Sequence, residues 1–151
     1  MSDPLIFDSA TPRFGLPLLF AGQTQKEVYV NEAHALADAI LHCAVNGELA
    51  APPASAAEGD CWLVAASATG PWAGQDGKIA SRQGGNWLFI APRDGLRVLD
   101  RSTGQDRRYH GAWRQAALPV TPNGGSTIDA EARSAIAILI ESLRQAGIFP
   151  A

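Results

Sequence analysis

Apolar residues follow three different rhythms along the chain. At the start they crowd without a period. Leu5, Ile6, Phe7, Phe14, Leu16, Leu18, Leu19 and Phe20 are interrupted by Pro4, Pro12 and Pro17. Proline has no N–H and turns the residue before it away from helix, so residues 1–23 predict an extended arm. So greasy an arm must lie on its own domain or on a neighbouring subunit. The rhythm then becomes helical. Tyr29, Ala33, Leu36 and Ile40 recur at one-face spacing, Thr24 with Glu27 fits a reciprocal capping pair, and Asn46-Gly47 supplies a left-handed stop. A helix over about 25–45 is predicted.

Beyond a Pro/Ala connector at 48–58, the rhythm shortens to that of strands. Cys61–Ala65 is an apolar run, and Lys78–Arg82 and Trp87–Ala91 flank Gln83-Gly-Gly-Asn86, a hairpin signal. Leu96–Asp100 and Arg107–His110 flank a second turn at Ser102–Gln105. Residues 116–125 are a linker with Pro119, Pro122 and Asn123-Gly-Gly125. Helical spacing returns with Ile128, Ala132, Ile136, Leu139, Leu143 and Ala146. Ser126 and Asp129 suggest a capping pair, and Gly147 a stop. Ile138 and Ile140 widen the stripe to more than half the helix girth, which calls for cover on more than one side, by the sheet or by a symmetry mate.

The predicted class is α+β. It comprises an arm (1–23), a helix plus an antiparallel meander of four or five strands (24–115), a linker (116–125) and a C-terminal helix (126–147). A chain of 151 residues suffices for one modest core.

Charge removes some functions. The net charge is −3 and only 18% of residues are charged, so a basic field for nucleic acid is missing. Arginines from Arg82 to Arg114 are interleaved with Asp94, Asp100 and Asp106. The longest apolar stretch, Leu16–Ala21, is too short to span a bilayer, and the N-terminus does not read as a signal peptide. Synthesis in the cytoplasm, with release only by lysis inside a particle, is the expected location. Cys43 and Cys61 lack metal or redox spacing and read as buried thiols.

Catalytic patterns are sparse. His34, Asp38 and His42 share one helix face, but the outer pair are two turns, about 12 Å, apart, too far for one ion. They read as the polar side of an amphipathic helix. No Gly-x-Ser-x-Gly or His-Glu-x-x-His occurs, the Gly-Gly pairs are turn glycines, and no cofactor is expected. Scattered acids leave only a residual case for glycoside hydrolysis, so a non-enzyme is expected. Aromatic residues are more suggestive. Trp62 and Trp87 sit in apolar runs and read as core. Trp72, in a Gly/Pro loop, and Trp113 with nearby Tyr109 are candidates to stack on sugar rings.

Longer patterns carry a resemblance. Leu16-Pro-Leu-Leu-Phe-Ala-Gly-Gln-Thr-Gln-Lys-Glu-Val, Asn31-Glu-Ala, Ala51-Pro-Pro-Ala-Ser and Glu58-Gly-Asp are followed by Ala68-Thr-Gly-Pro-Trp-Ala-Gly-Gln-Asp-Gly, Ala91-Pro-Arg-Asp-Gly and Gly111-Ala-Trp. Over about residues 14–115 the chain resembles a domain of unknown function found in phage and prophage tail or spike proteins and in gene transfer agents of alphaproteobacteria. The resemblance implies a virion surface component: a head-spike base or adaptor joining capsid to fibre and supporting adhesion to the host cell. A tail-fibre component and a carbohydrate-binding module for capsule are the alternatives. The expected partners are copies of itself in a symmetric oligomer, a capsid or fibre protein and, in the carbohydrate-binding alternative, capsular polysaccharide, with neither nucleic acid nor membrane. Phe14, Leu18, Phe20, Ile136, Leu139, Ile140, Leu143 and Phe149 are the expected subunit or partner contacts.

Overall fold

The computed structural model describes residues 9–20, 22, 26–126 and 129–150. The expected cap Thr24, the arm residues Leu5, Ile6 and Phe7, and Ile128 of the second stripe lie outside these. Among the described residues, two helices and eight strands form an α+β fold with a small β meander and a C-terminal helix. The chain divides into two compact units, Met1–Pro92 and Arg93–Ala151.

In the first unit, residues 9–20 fold back onto helix α1 (Lys26–Ile40). The arm therefore packs within its own chain over this stretch. The contact is chiefly polar. Asp38, 1% exposed, accepts hydrogen bonds from Thr11 Oγ1 at 2.7 Å, Phe14 N at 2.7 Å and Arg13 N at 3.0 Å. Arg13 then reaches along the helix end. Its guanidinium donates to the carbonyls of Asp38, Ala39 and His42 at 2.7, 2.6 and 3.0 Å. Those carbonyls belong to the last turn and the residues just after it, where helical partners run out, and a cation there also suits the helix dipole. This is why α1 ends at Ile40, several residues before the stop expected at Asn46-Gly47. His42 turns the chain at a φ of 44°.

This contact corrects the predicted faces of α1. The buried residues are Ala35, Asp38 and Ala39, whereas Tyr29 is 77% and Ile40 43% exposed. The His34–Asp38–His42 side is not a solvated polar face. Asp38 anchors the N-terminal segment, and His34 Nδ1 pairs with the Pro17 carbonyl at 2.8 Å.

Strand β1 (Ala44–Val45) leads to β2 (Glu48–Leu49), within the predicted connector. A sheet in the order β2-β3-β4-β5 follows, with β3 (Cys61–Val64), β4 (Ile79–Gln83) and β5 (Asn86–Ile90). β2 runs parallel to β3, so the sheet is mixed rather than purely antiparallel. All four residues of β3 are buried, as expected for an apolar run at the sheet centre. The β4–β5 hairpin turns on Gly84 and Gly85, at φ 57° and 76°, the left-handed pair that a tight hairpin requires. The Glu58 carboxylate accepts from both glycine N–H groups, at 2.5 and 2.9 Å. Trp62, Val64, Trp72 and Ala80 form one core cluster, with Trp87 and Phe89 packed against it, and Val45, Leu63 and Ile79 are fully buried as well.

In the second unit, β6 (Arg97–Asp100), β7 (Gln105–Tyr109) and β8 (Trp113–Arg114) form an antiparallel meander. Inside it, Asp100, fully buried, pairs with Arg107 at 2.6 Å. Helix α2 (Ala130–Gln145) starts with Asp129 rather than Ser126 as its cap, because the Asp129 side chain itself accepts from Ala132 N at 2.8 Å. It stops at Gly147, at φ 71°, as the sequence indicates. Gln105, 1% exposed, donates from Nε2 to the carbonyls of Ala116 and Ile148, both at 2.8 Å, and Asp106 N donates to Gly147 O at 2.7 Å. The end of the chain is thereby tied to the meander.

Candidate functional site

Helix α2 is well built yet barely covered. Of its sixteen residues only Ile140 is buried. Ile136, Leu139 and Ile138 are 39, 58 and 65% exposed. Ile136 and Leu139 lie on one side of the helix and Ile138 on the other, so apolar surface is open on two sides. Of the predicted contact residues, Ile140 is committed to the fold of the chain itself, while Leu143 and Phe149 are half-buried. The backbone N–H groups of Ile148 and Phe149 both return to the Leu143 carbonyl, which folds these two residues against the helix end. Phe14 and Phe20 stay 45 and 49% exposed although their segment is clipped to α1.

Leu18 belongs to a different feature, a shallow groove of about 340 Å³ in the first unit. Its lining includes Asn31, Glu32, Ala35, Gln83, Asn86 and Trp87. Trp87 is held edge-on by Trp72 and Trp62, at 5.0 and 5.8 Å between ring centroids, and the Arg82 guanidinium lies 5.3 Å from its ring.

The aromatic expectations divide. Trp72 does not present its ring to solvent: it is 0% exposed. The Gly70–Trp72 turn of 3₁₀ helix tucks it into the core, where the indole N–H finds no acceptor among the described residues. Stacking on a sugar would require this residue to leave the core. Tyr109 and Trp113 are half-buried and meet edge to face at 5.2 Å across β7 and β8. Beside them, Asp94 accepts from Gly111 N at 2.9 Å and pairs with His110 Nδ1 at 3.0 Å. The Gly111 N–H, then the positive charge of His110 and Arg108, hold the Asp94 carboxyl below its ordinary range.

One feature of the meander escapes a linear reading. Arg97 stands opposite Arg108, and Arg108 opposite Arg114, across three adjacent strands. All three are exposed. Of the interleaved aspartates, Asp100 is taken by Arg107, while Asp94 pairs with His110 and also feels the charge of Arg108. The signal was present in strand alternation, which puts Arg97 and Leu99 on one face and Val98 and Asp100 on the other.

Among the described residues, no three or more His, Cys, Asp or Glu side chains converge as metal ligands, and no helix is long and apolar enough to cross a membrane. Burial, then proximity to Cys61, pushes the Cys43 thiol up to about 12 against the opposing effect of Arg13, which makes it a poor nucleophile. Residues 30–114 match the model of a family described as a protein of unknown function, DUF2793. No curated protein matches the chain.

Proposed function

The chain belongs to the DUF2793 family, and from that premise we propose that it is a structural subunit of a phage-like particle. In this reading it is a head-spike base or adaptor that assembles into a symmetric homo-oligomer at the particle surface. It joins capsid to fibre and supports adhesion to the host cell; it is made in the bacterial cytoplasm and released by lysis. The observation that carries the reading is α2, a capped and terminated helix with apolar residues open on two sides. Burying a large aliphatic side chain contributes about 1.5–3 kcal/mol, so covering Ile136, Ile138 and Leu139 would stabilise an assembly by several such increments after discounting what is already covered. A helix of this length runs about 24 Å, enough to form the centre of an interface of about 800 Å² per partner.

The test is to purify particles from a producing strain that carries a tagged copy of this gene. The tag should co-purify with capsid protein and be visible by immunogold labelling at the particle surface. A tag found only in the soluble fraction of lysates full of particles would remove the particle reading. A carbohydrate-binding role is favoured by a separate observation, the half-buried Tyr109–Trp113 pair. There Trp113→Ala should abolish retention on purified capsule without altering the fold, and unchanged retention would dispose of it.

A further inference from the structure

Charge is distributed unevenly between the two units. Residues 1–92 carry nine acidic and four basic side chains, and residues 93–151 carry six acidic and eight basic ones. The first unit is therefore at −5 and the second at +2, with His neutral. Within the second unit the positive charge is sorted onto one sheet face by the row Arg97, Arg108 and Arg114. Like charges directly opposite in a sheet disfavour it locally. None of the three makes an ion pair within the chain among the described residues. Asp106, opposite Leu99, lies on the same face, and Asp94 interacts with the charge of Arg108. A sheet that carries three like charges against so little internal compensation points to an external one.

We propose that this arginine face docks on the acidic first unit of a second copy of the chain. The proposal rests on the oligomer of the preceding section and specifies its contact. Two arguments select this occupant. The complementary charge is carried by the same chain, so every copy brings both halves of the contact. Glu32, exposed on α1 and without a partner among the described residues, is one of the available carboxylates. The face also has interface composition, since arginine is enriched at protein interfaces and Leu99, 41% exposed, lies in the row. Geometry follows from charge. A two-fold contact through this face would set the arginine row against its own copy, which repulsion forbids. The contact is therefore arginine face to first unit, made reciprocally in a two-fold pair or head to tail in a ring or filament.

Sedimentation of the full chain at about 0.1 M and about 1 M salt, where the screening length falls from ~10 to ~3 Å, is the experiment. It is run on the wild type, on R97E/R108E/R114E, on the neutral R97Q/R108Q/R114Q and on Leu139→Asp, with circular dichroism to verify folding. The wild-type association should weaken about tenfold at high salt. The reversed variant should sediment as the 15.9 kDa chain, and the neutral variant should lie between them and lose its salt dependence. If Leu139→Asp dissociates the oligomer while both arginine variants and salt leave it intact, the arginine contact is wrong and the oligomer stands. If the wild type is monomeric throughout, both fall. If the arginine variants keep the oligomer but lose retention on polygalacturonate, the face serves an acidic glycan, which also overturns the proposal.

Discussion

The two units dispose of their apolar surface in opposite ways. The first closes its strands over a core, with β3 buried along its length and Trp72 sealed inside, and residues 9–20 clip onto α1 through polar contacts while Tyr29 and Ile40 of that helix stay 77 and 43% exposed. The second ties down its chain end through Gln105 but leaves α2 open. Both helices have apolar stripes in the sequence, the second longer and wider than the first, and neither stripe is fully covered. What differs is a polar clasp within the chain. Asp38 and Arg13 fix a cover to α1, and α2 has buried only Ile140. A stripe thus reports the demand for cover, and only the tertiary structure shows whether the chain meets it.

The contrast predicts graded responses. Trp72→Ala should be the most damaging, by about 4 kcal/mol from lost burial and a cavity, seen as a collapse of the denaturation midpoint. A variant that keeps its stability would mean Trp72 is a surface ring after all. Asp38→Ala strips a buried side-chain acceptor from three donors and should cost about 3 kcal/mol, with amide exchange accelerated in residues 9–20 first. If exchange there is unchanged, the clip does not hold the segment.

A pH effect comes next. The Cys43 thiol, raised by burial from 9.0 to about 12, remains protonated in the fold where the unfolded chain would ionise. The unfolded state then binds fewer protons, so this contribution is intact below about pH 9 and is lost as pH rises toward 12, by about 1 kcal/mol at pH 10. Cys43→Ser should flatten that decline in urea titrations, and native Cys43 should resist thiol reagents at pH 8 until the chain unfolds. The smallest effect has the opposite sign. Arg108→Gln relieves two like-charge neighbours and should stabilise the isolated chain by about 0.5 kcal/mol. A loss of stability would show that Arg108 has a structural partner.

Much of this was legible from the residues. The hairpin at Gly84-Gly85, the buried run Cys61–Val64, the C-terminal helix with its Gly147 stop and the α+β class follow from turn chemistry and period. The misread features depend on contacts between residues far apart in sequence. α1 ends early because Arg13, 25 to 29 residues earlier and in neither helix nor strand, takes its last carbonyls. Trp72 looks exposed in a Gly/Pro loop because local composition cannot reveal that the loop folds inward. The arginine row is invisible in a linear count, since Arg97, Arg108 and Arg114 become neighbours only in strand register. For the candidate site, the sequence identified α2 as over-apolar but could not separate Ile140, which the chain buries, from Ile136, Ile138 and Leu139, which it leaves open.

The central claim is that α2 awaits cover from another subunit. Leu139 is 58% exposed, so Leu139→Asp should leave the fold of the chain intact. Sedimentation equilibrium of wild type and Leu139→Asp over a concentration series, at matched thermal stability, tests this most directly. The account predicts a concentration-dependent oligomer for the wild type and the mass of a single chain for the variant. A wild type that stays monomeric at every concentration, or a variant that assembles as the wild type does, would contradict it.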